Sequence, residues 1–268
     1  MKKKFKFGVI GAGFMSSAIV SGILTSNVLD SSEIIVSDLN DEALSKMSQK
    51  GVSVTKDSAF LVDNSEFVLF AVKPQNLDSV LSVISGCDCD KFISIMAGVK
   101  KDKIKKVFNT ARVARCMPNT PCSISSGAVG LDCSDFENKE DVDFIVSLFS
   151  SLAKVVLVDE DKLNAVTGVS GSSPAYFYLF LKGIIDAGVK HGLNYEEAKN
   201  LAASTMIGAG KMVFNNPDKT LDDLITAVCS KGGTTIEAIN VYNNSGLSDI
   251  TEKAIGACVK RSKELENL

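Results

Sequence analysis

The sequence contains a single histidine, His191, in 268 residues. A Ser-His-Asp triad needs an imidazole at its centre, and most catalytic zinc sites use several. His191 stands beside Gly192 where a helix is expected to end, which suits a capping or dipole role better than catalysis. Triad hydrolysis and histidine metal clusters are set aside, and no metal is expected. Long apolar runs are also missing: no segment reaches the roughly 18 consecutive apolar residues that mark a membrane span. The opening Met1-Lys2-Lys3-Lys4 runs directly into a short strand-like segment, not into a signal core of roughly 7–15 apolar residues. Nor is there a basic excess. A net charge of -3 and a pI near 5.4 argue against a general nucleic-acid or membrane-surface binder. The seven cysteines are scattered, and Cys87 and Cys89 have the wrong spacing for a zinc knuckle. Reduced, mostly buried thiols and a cytoplasmic setting are expected. Internal repeats and low-complexity segments are absent.

What is present is a chain of 45% apolar residues, enough for a substantial core, arranged around residues 162–192. Before this stretch, strand-like and helix-like segments alternate; after it nothing reads as a strand. Within it, the small cluster Ser170-Gly171-Ser172-Ser173-Pro174 precedes the bulky run 175–181. Serine followed by proline and helix formers marks a helix start, and residues 163–169 suit a helix too. One long helix, broken or kinked at 172–174, is expected.

The first strand, residues 7–10, leads at once into Gly11-Ala12-Gly13-Phe14-Met15-Ser16 and then an apolar helix over 18–24. Strand, tight turn and helix start are the setting that gives GxGxxG its meaning. Gly11 permits the turn, Gly13 lets the backbone approach a pyrophosphate, and Ser16 fills the third glycine position. A second strand over 33–37 ends at Ser37-Asp38, where an acid reads the adenosine ribose. Further strands are expected at 52–55, 67–71, 92–95, 113–116, 128–131 and 155–158. Helices are expected at 42–49, 77–84, 102–108 and 142–152. The pattern predicts a parallel, doubly wound α/β sheet, with ligands beyond the carboxyl ends of its strands. Three segments fall at such ends: Ala71-Val72-Lys73-Pro74-Gln75, Met96-Ala97-Gly98 and Met117-Pro118-Asn119-Thr120-Pro121.

The last third reads as all helical. Residues 196–215 are apolar or small on nearly every face, which demands burial on most sides. Roughly a hundred residues are too few to enclose this helix and the 162–192 stretch, so an oligomer is expected. Cys229-Ser230-Lys231-Gly232-Gly233-Thr234-Thr235 is a loop of small and hydroxyl residues feeding a helix from about Ile236. Bare N–H groups there suit a carboxylate or phosphate, or simply a capped helix start.

Taken together, these motifs resemble the pyrroline-5-carboxylate reductase family from end to end. The resemblance rests on Gly11 to Met15, Ala71 to Gln75, Ala97-Gly98-Val99, Met117 to Pro121, Val169 to Tyr176 and Gly232 to Ala238. It implies a Rossmann-type domain over 1–160 and an all-α dimerisation and substrate domain over 161–268, the architecture shared with 6-phosphogluconate dehydrogenase. It implies reduction of 1-pyrroline-5-carboxylate to proline with NADPH or NADH, in a homodimer formed through the C-terminal helices and able to assemble further. The cofactor would meet Gly11, Ala12, Gly13, Phe14, Met15, Ser37, Asp38, Ala71, Val72, Lys73, Pro74, Met96, Ala97 and Gly98. Met117, Pro118 and Asn119 would wall the substrate, and the amides of Gly232, Gly233 and Thr234 would hold its carboxylate. Thr235 would face the imine nitrogen, and Lys73 would set the local field or relay a proton. Two features depart from the family pattern. Lys231 stands where proline is usual, and Ser37-Asp38-Leu39-Asn40-Asp41-Glu42 lacks the basic residue that suits NADPH.

Other readings stay open at this level. A 3-hydroxyacid dehydrogenase or a general imine reductase would share the architecture, although the former would be expected to place a lysine in the interdomain helix, and residues 170–174 offer none. A dinucleotide-sensing module would keep the glycine turn without needing the 232–235 loop.

Overall fold

The computed structural model describes residues 3–266. They form two compact units, one holding the chain up to Pro174 and again from Cys258, the other Ala175–Ala257. The expected boundary at residue 160 falls inside the first unit, because the helical segment after it packs onto the sheet.

The first unit is built on strands β1 (Phe5–Ile10), β2 (Ile34–Ser37), β3 (Ser53–Thr55), β4 (Ser65–Phe70), β5 (Lys91–Ser94), β6 (Arg112–Pro118), β7 (Gly127–Asp132) and β8 (Ala153–Leu157). They make one sheet in the order β3-β2-β1-β4-β5-β6-β7-β8. Helices cover both faces: α1 (Phe14–Thr25), α2 (Asp41–Ser48), α3 (Ser58–Asn64), α4 (Leu77–Ile84), α5 (Lys101–Lys105) and α6 (Lys139–Ser150). Strand periodicity explains the two-sided burial. Phe67 and Leu69 point into the core shared with Ile19, Ile145 and Phe149, while Val68 and Phe70 point into the core shared with Leu61, Leu81 and Ile104. A strand buried on both faces must be apolar at every position, hence the uninterrupted runs in the sequence.

Every strand pair is parallel except β6 and β7, which correct the expectation of a wholly parallel sheet. Only residues 119–126 join them. A parallel return needs a crossover of a dozen or more residues; this link is instead a tight turn over Thr120–Ile124, closed by Ser125 in the left-handed region at φ 54°. The helix α3 was not anticipated. Asp57 accepts from Phe60 N at 2.9 Å and starts it, and its seven residues, about two turns, then lead straight into β4.

After β8 the chain enters α7 (Leu163–Val166), passes through a π-helical turn at Thr167–Gly171 and continues as α8 (Ser173–Lys190). Ser172 N reaches back five residues to Thr167 O at 2.9 Å. The expected kink is present, and the wide turn that makes it begins before Pro174. Glycines let this segment lie against the sheet. A Cβ on Gly130 of β7 would come within 2.6 Å of Val166, and one on Gly171 within 3.3 Å of the Met117 sulfur.

The second unit holds most of α8, then α9 (Tyr195–Asn215), α10 (Leu221–Val228), α11 (Thr234–Asn244) and the start of α12 (Leu247–Leu265). Gly192, at φ 103°, ends α8: its N–H bonds to Val189 O at 3.1 Å and that of Leu193 to Gly188 O at 3.2 Å, the paired bonds of a Schellman cap. In a single chain this unit leaves much apolar surface open. Leu179 and Phe214 are each 73% exposed, and Leu201, Ile207 and Val241 are exposed with them. The burial expected of residues 196–215 is therefore not supplied within one copy. No helix among the described residues is long and apolar enough to cross a membrane.

The packing at Gly130 makes a direct prediction. Gly130→Ala should destabilise the protein by about 1–3 kcal/mol through overpacking against Val166. Adding Val166→Ala should return most of that loss in thermal or urea unfolding. An unchanged Gly130→Ala midpoint would contradict this account of the contact.

Candidate functional site

Because β1, β2, β4, β5 and β6 run parallel, their carboxyl ends share one edge of the sheet. The edge therefore carries Gly11 to Met15, Asp38, Ala71 to Pro74, Met96 to Gly98 and Met117 to Asn119, far apart in sequence. The connections after β1 and β4 leave in opposite directions along the sheet, which makes their junction the switch point where a parallel sheet opens a crevice.

The glycine turn sits at that junction. Gly11 has φ 104°, its N–H bonds to Ser37 O at 2.7 Å, and a Cβ there would stand 2.7 Å from Ala71 O. A side chain is excluded on steric and conformational grounds alike. Gly13 precedes α1 without any side-chain cap, and a Cβ on it would meet nothing within 4 Å. The first N–H groups of α1 thus face open space, as an incoming pyrophosphate requires. Asp38 completes the turn: its Oδ2 accepts from Ala12 N at 2.7 Å and its Oδ1 from Asn40 N at 2.9 Å. A cleft of about 360 Å³ opens here, walled by Ala12, Gly13, Phe14, Asn40, Glu42 and Lys46. Phe14 offers it an exposed ring. These features fit a dinucleotide: uncapped amides for phosphate, an acid at the end of β2, and an apolar wall.

The other anticipated residues differ in their surroundings. The Ser37 side chain points away from the cleft, fully buried with its hydroxyl 3.1 Å from that of Ser58. Met96 is buried in the core beneath α4 and α5, which leaves Ala97 exposed at the edge. Asn119 is in the right place, yet its carboxamide is committed: Nδ2 donates to Ser170 O at 3.2 Å, and Oδ1 accepts from Ala128 N at 3.0 Å. It fastens the end of β6 to β7 and to the π-turn. Met117 lies buried against Gly171. Lys73 is exposed and forms no ion pair with the described residues.

Lys46 lines the cleft without having been anticipated, as do Ser17, Ala43 and Met47. Lys46 lies one turn beyond Glu42 on α2 and pairs with it at 2.7 Å. The hydrogen bond and charge of Lys46 hold the Glu42 carboxyl below its usual range. The four-residue spacing of an acid and a lysine was the available signal. Asp41 is likewise paired, with Lys56 at 2.7 Å.

The second unit contributes its own open helix start. Gly232 has φ 70°, and Gly233 caps α11 with no side-chain bond of its own. A Cβ on Gly233 would collide with the Ser230 hydroxyl. The helix begins at Thr234, two residues earlier than expected. Thr235 is half-buried, and its hydroxyl bonds to none of the described residues. The Gly233 N–H is spent on Ser230 O at 3.0 Å, which corrects the expectation that it holds a carboxylate. The N–H groups of Gly232 and Thr234 have no backbone partner among the described residues and lie beside the Thr235 hydroxyl in the chain, a combination that suits a carboxylate next to a second polar group.

Among the described residues no group of three or more His, Cys, Asp or Glu side chains is placed to hold a metal.

Residues 160–265 match the family model for pyrroline-5-carboxylate reductase dimerisation, and residues 6–98 that for NADP oxidoreductase, coenzyme F420-dependent. Pyrroline-5-carboxylate reductase of Haemophilus influenzae is 36% identical, with 97% of each chain covered. That of Pisum sativum is 34% identical over 99% of this chain and 97% of its own. In structure, a pyrroline-5-carboxylate reductase from Coxiella burnetii superposes with a TM-score of 0.89 at 31% identity, covering 98% of this chain and 99% of that one. The Plasmodium falciparum enzyme, with NADP bound, gives 0.84 at 26% identity, covering 99% and 100%. Likeness of this extent, carried by both halves of the chain, decides the assignment: the protein belongs to the pyrroline-5-carboxylate reductase family.

Proposed function

We propose that the protein reduces 1-pyrroline-5-carboxylate to L-proline with NADPH or NADH, the final step of proline synthesis, in the cytoplasm. The observation that carries this reading is the coexistence of two uncapped helix starts. One at Gly13 suits the cofactor pyrophosphate; the other at Gly233 suits the substrate carboxylate. When bound, the nicotinamide supplies the hydride that the imine carbon receives. The protein's own residues orient and polarise. Gly11 to Met15 and Asp38 hold the dinucleotide, with Ala71 to Pro74 and Ala97-Gly98 continuing along the edge. The amides of Gly232 and Thr234 fix the carboxylate, with Gly233 held in the loop by Ser230 O; the Thr235 hydroxyl faces the ring nitrogen, and Lys73 sets the field at the cofactor. Met117 and Pro118 form the wall behind. The test is purified protein oxidising NADPH or NADH only when 1-pyrroline-5-carboxylate is added; oxidation of a 3-hydroxyacid with NADP+ or NAD+ instead would replace this reading with its nearest rival.

The exposed apolar residues of the second unit support a homodimer through the C-terminal helices, in which the Gly232–Thr235 loop of one copy serves the sheet edge of the other. Light scattering should find no stable monomer at micromolar concentration. An active monomer would remove this part of the proposal.

Thr235 generates a sharper expectation. The imine nitrogen gains electron density as hydride arrives and ends protonated, so an oriented hydroxyl contributes most in the transition state. Thr235→Ala should lower kcat by roughly one to three powers of ten. Thr235→Ser should recover much of the rate, and Thr234→Ala should be milder, because only its backbone is used. Normal kcat in Thr235→Ala, with loss in Thr235→Ser, would transfer the donor role to Lys73 or a water.

Cofactor choice follows from the cleft. Asp38 repels a 2′-phosphate, whereas Lys46 can attract one but is held by Glu42. Discrimination should be weak, with kcat/KM for NADPH less than about a hundredfold above that for NADH. Glu42→Gln should free Lys46 and tighten binding of 2′,5′-ADP relative to AMP in calorimetry. A strong NADPH preference in the native protein would contradict this account of the cleft.

A further inference from the structure

The last turn of the chain ends in a buried ionic cluster that none of the roles above uses. Arg115, on β6 three residues before Pro118, has a side chain only 3% exposed. Its Nη2 donates to Glu266 Oε1 at 2.9 Å and its Nη1 to Glu160 Oε1 at 3.2 Å. That same Glu160 oxygen accepts from the backbone N–H of Lys101 at 2.9 Å, at the start of α5. The Lys101 ammonium is itself anchored, 2.6 Å from Asp132 and 3.1 Å from Asp135. Glu266 Oε2 lies 3.6 Å from Lys100, and its side chain is 6% exposed. Asn164 of α7 joins the cluster: it hydrogen-bonds Glu266, and its Oδ1 accepts from Ser262 of α12 at 2.6 Å. Burial works against the Glu266 carboxylate, but the bonds from Asn164 and Arg115 and the charge of Lys100 prevail and hold its pKa below the usual range.

Beside this cluster lies the turn after β5. Gly98 has φ 70° and is buried, and a Cβ on it would sit 2.8 Å from Leu265 Cβ. Leu265 therefore closes over Gly98 and Glu266 faces Lys100, while Glu160, itself held by Arg115, accepts from the Lys101 amide. The whole arrangement lies within the first unit, which takes back the chain from Cys258.

We propose that Glu266 and Arg115 are positioning residues: they clamp the Gly98–Lys101 turn and thereby hold Ala97 and Gly98 in place for the nicotinamide cofactor. This rests on the cofactor assignment made above. The clamp spans 151 residues of sequence and joins the end of the chain to the sheet edge. Its geometry has a useful asymmetry. Removing Glu266 leaves Arg115 paired with Glu160, so no lone charge is buried and the fold survives. Removing Arg115 would leave two carboxylates without their shared partner.

The test uses the whole chain with Glu266→Ala and Glu266→Gln, and with Glu264→Ala as control, since Glu264 is exposed and pairs with Arg261. Hydrogen exchange is measured without cofactor over residues 95–103, with β1 and β4 as internal standards of folding. Glu266→Ala should raise exchange in 95–103 about tenfold or more and leave β1 and β4 protected. NADPH and NADH should bind about 5- to 30-fold more weakly, read by fluorescence titration, with KM for cofactor rising in step and kcat within about twofold. Glu266→Gln, which keeps the acceptor and loses the charge, should fall between. Native exchange in Glu266→Ala would overturn the clamp itself. Faster exchange with unchanged cofactor affinity would overturn the positioning role and leave a contact that only stabilises. Failure of the native protein to bind either cofactor would defeat the parent assignment, whatever the exchange data say about the clamp.

Discussion

The structure depends on one constraint of parallel strands: all of them end at the same edge, and the backbone there must turn away at once. Gly11 meets this constraint most severely. It is fixed between Ser37 O and Ala71 O, two strands that flank β1 on either side, with no space for a side chain. Because the turn is so tight, α1 begins immediately and has no residue to spare as a cap. The unsatisfied amides, the acid at the end of β2 and the cleft between α1 and α2 all follow from that geometry. Binding capacity here is a consequence of how the sheet ends, not an addition to it.

The second unit obeys a different rule. Its helices are apolar on more faces than a few short helices can cover, and the surplus stays open in one copy. That surplus gives the dimerisation match its physical content. The helical unit also carries the other uncapped helix start, at Gly233. The same device, a helix start without a side-chain cap, thus occurs once in each unit.

Much of this was legible in the sequence, for identifiable reasons. Strands such as β4 are apolar throughout their central run, Phe67 to Phe70, because both faces are buried there, and the glycine turn is diagnostic because a strand precedes it and a helix follows. The antiparallel β7 was harder, since only the shortness of residues 119–126 betrays the reversal. The position of Asn119 was readable, but the commitment of its carboxamide to Ala128 and Ser170 was not. Ser37 illustrates the limit of motif reading: strand alternation turns its side chain inward while its carbonyl holds the glycine turn. Least legible was the cluster around Arg115, whose partner Glu266 lies far along the chain. Contacts of that range leave no local pattern. The family resemblance, by contrast, was carried by short motifs that the comparisons then extended over the whole chain.

The central claim is that this sheet edge and loop together serve hydride transfer to a cyclic imine. The most direct measurement supplies 1-pyrroline-5-carboxylate with a nicotinamide cofactor deuterated at both C4 positions and examines the product by mass spectrometry and NMR. The account predicts L-proline bearing one deuterium on the ring carbon formerly double-bonded to nitrogen. Absence of proline, or proline without the label, would contradict it.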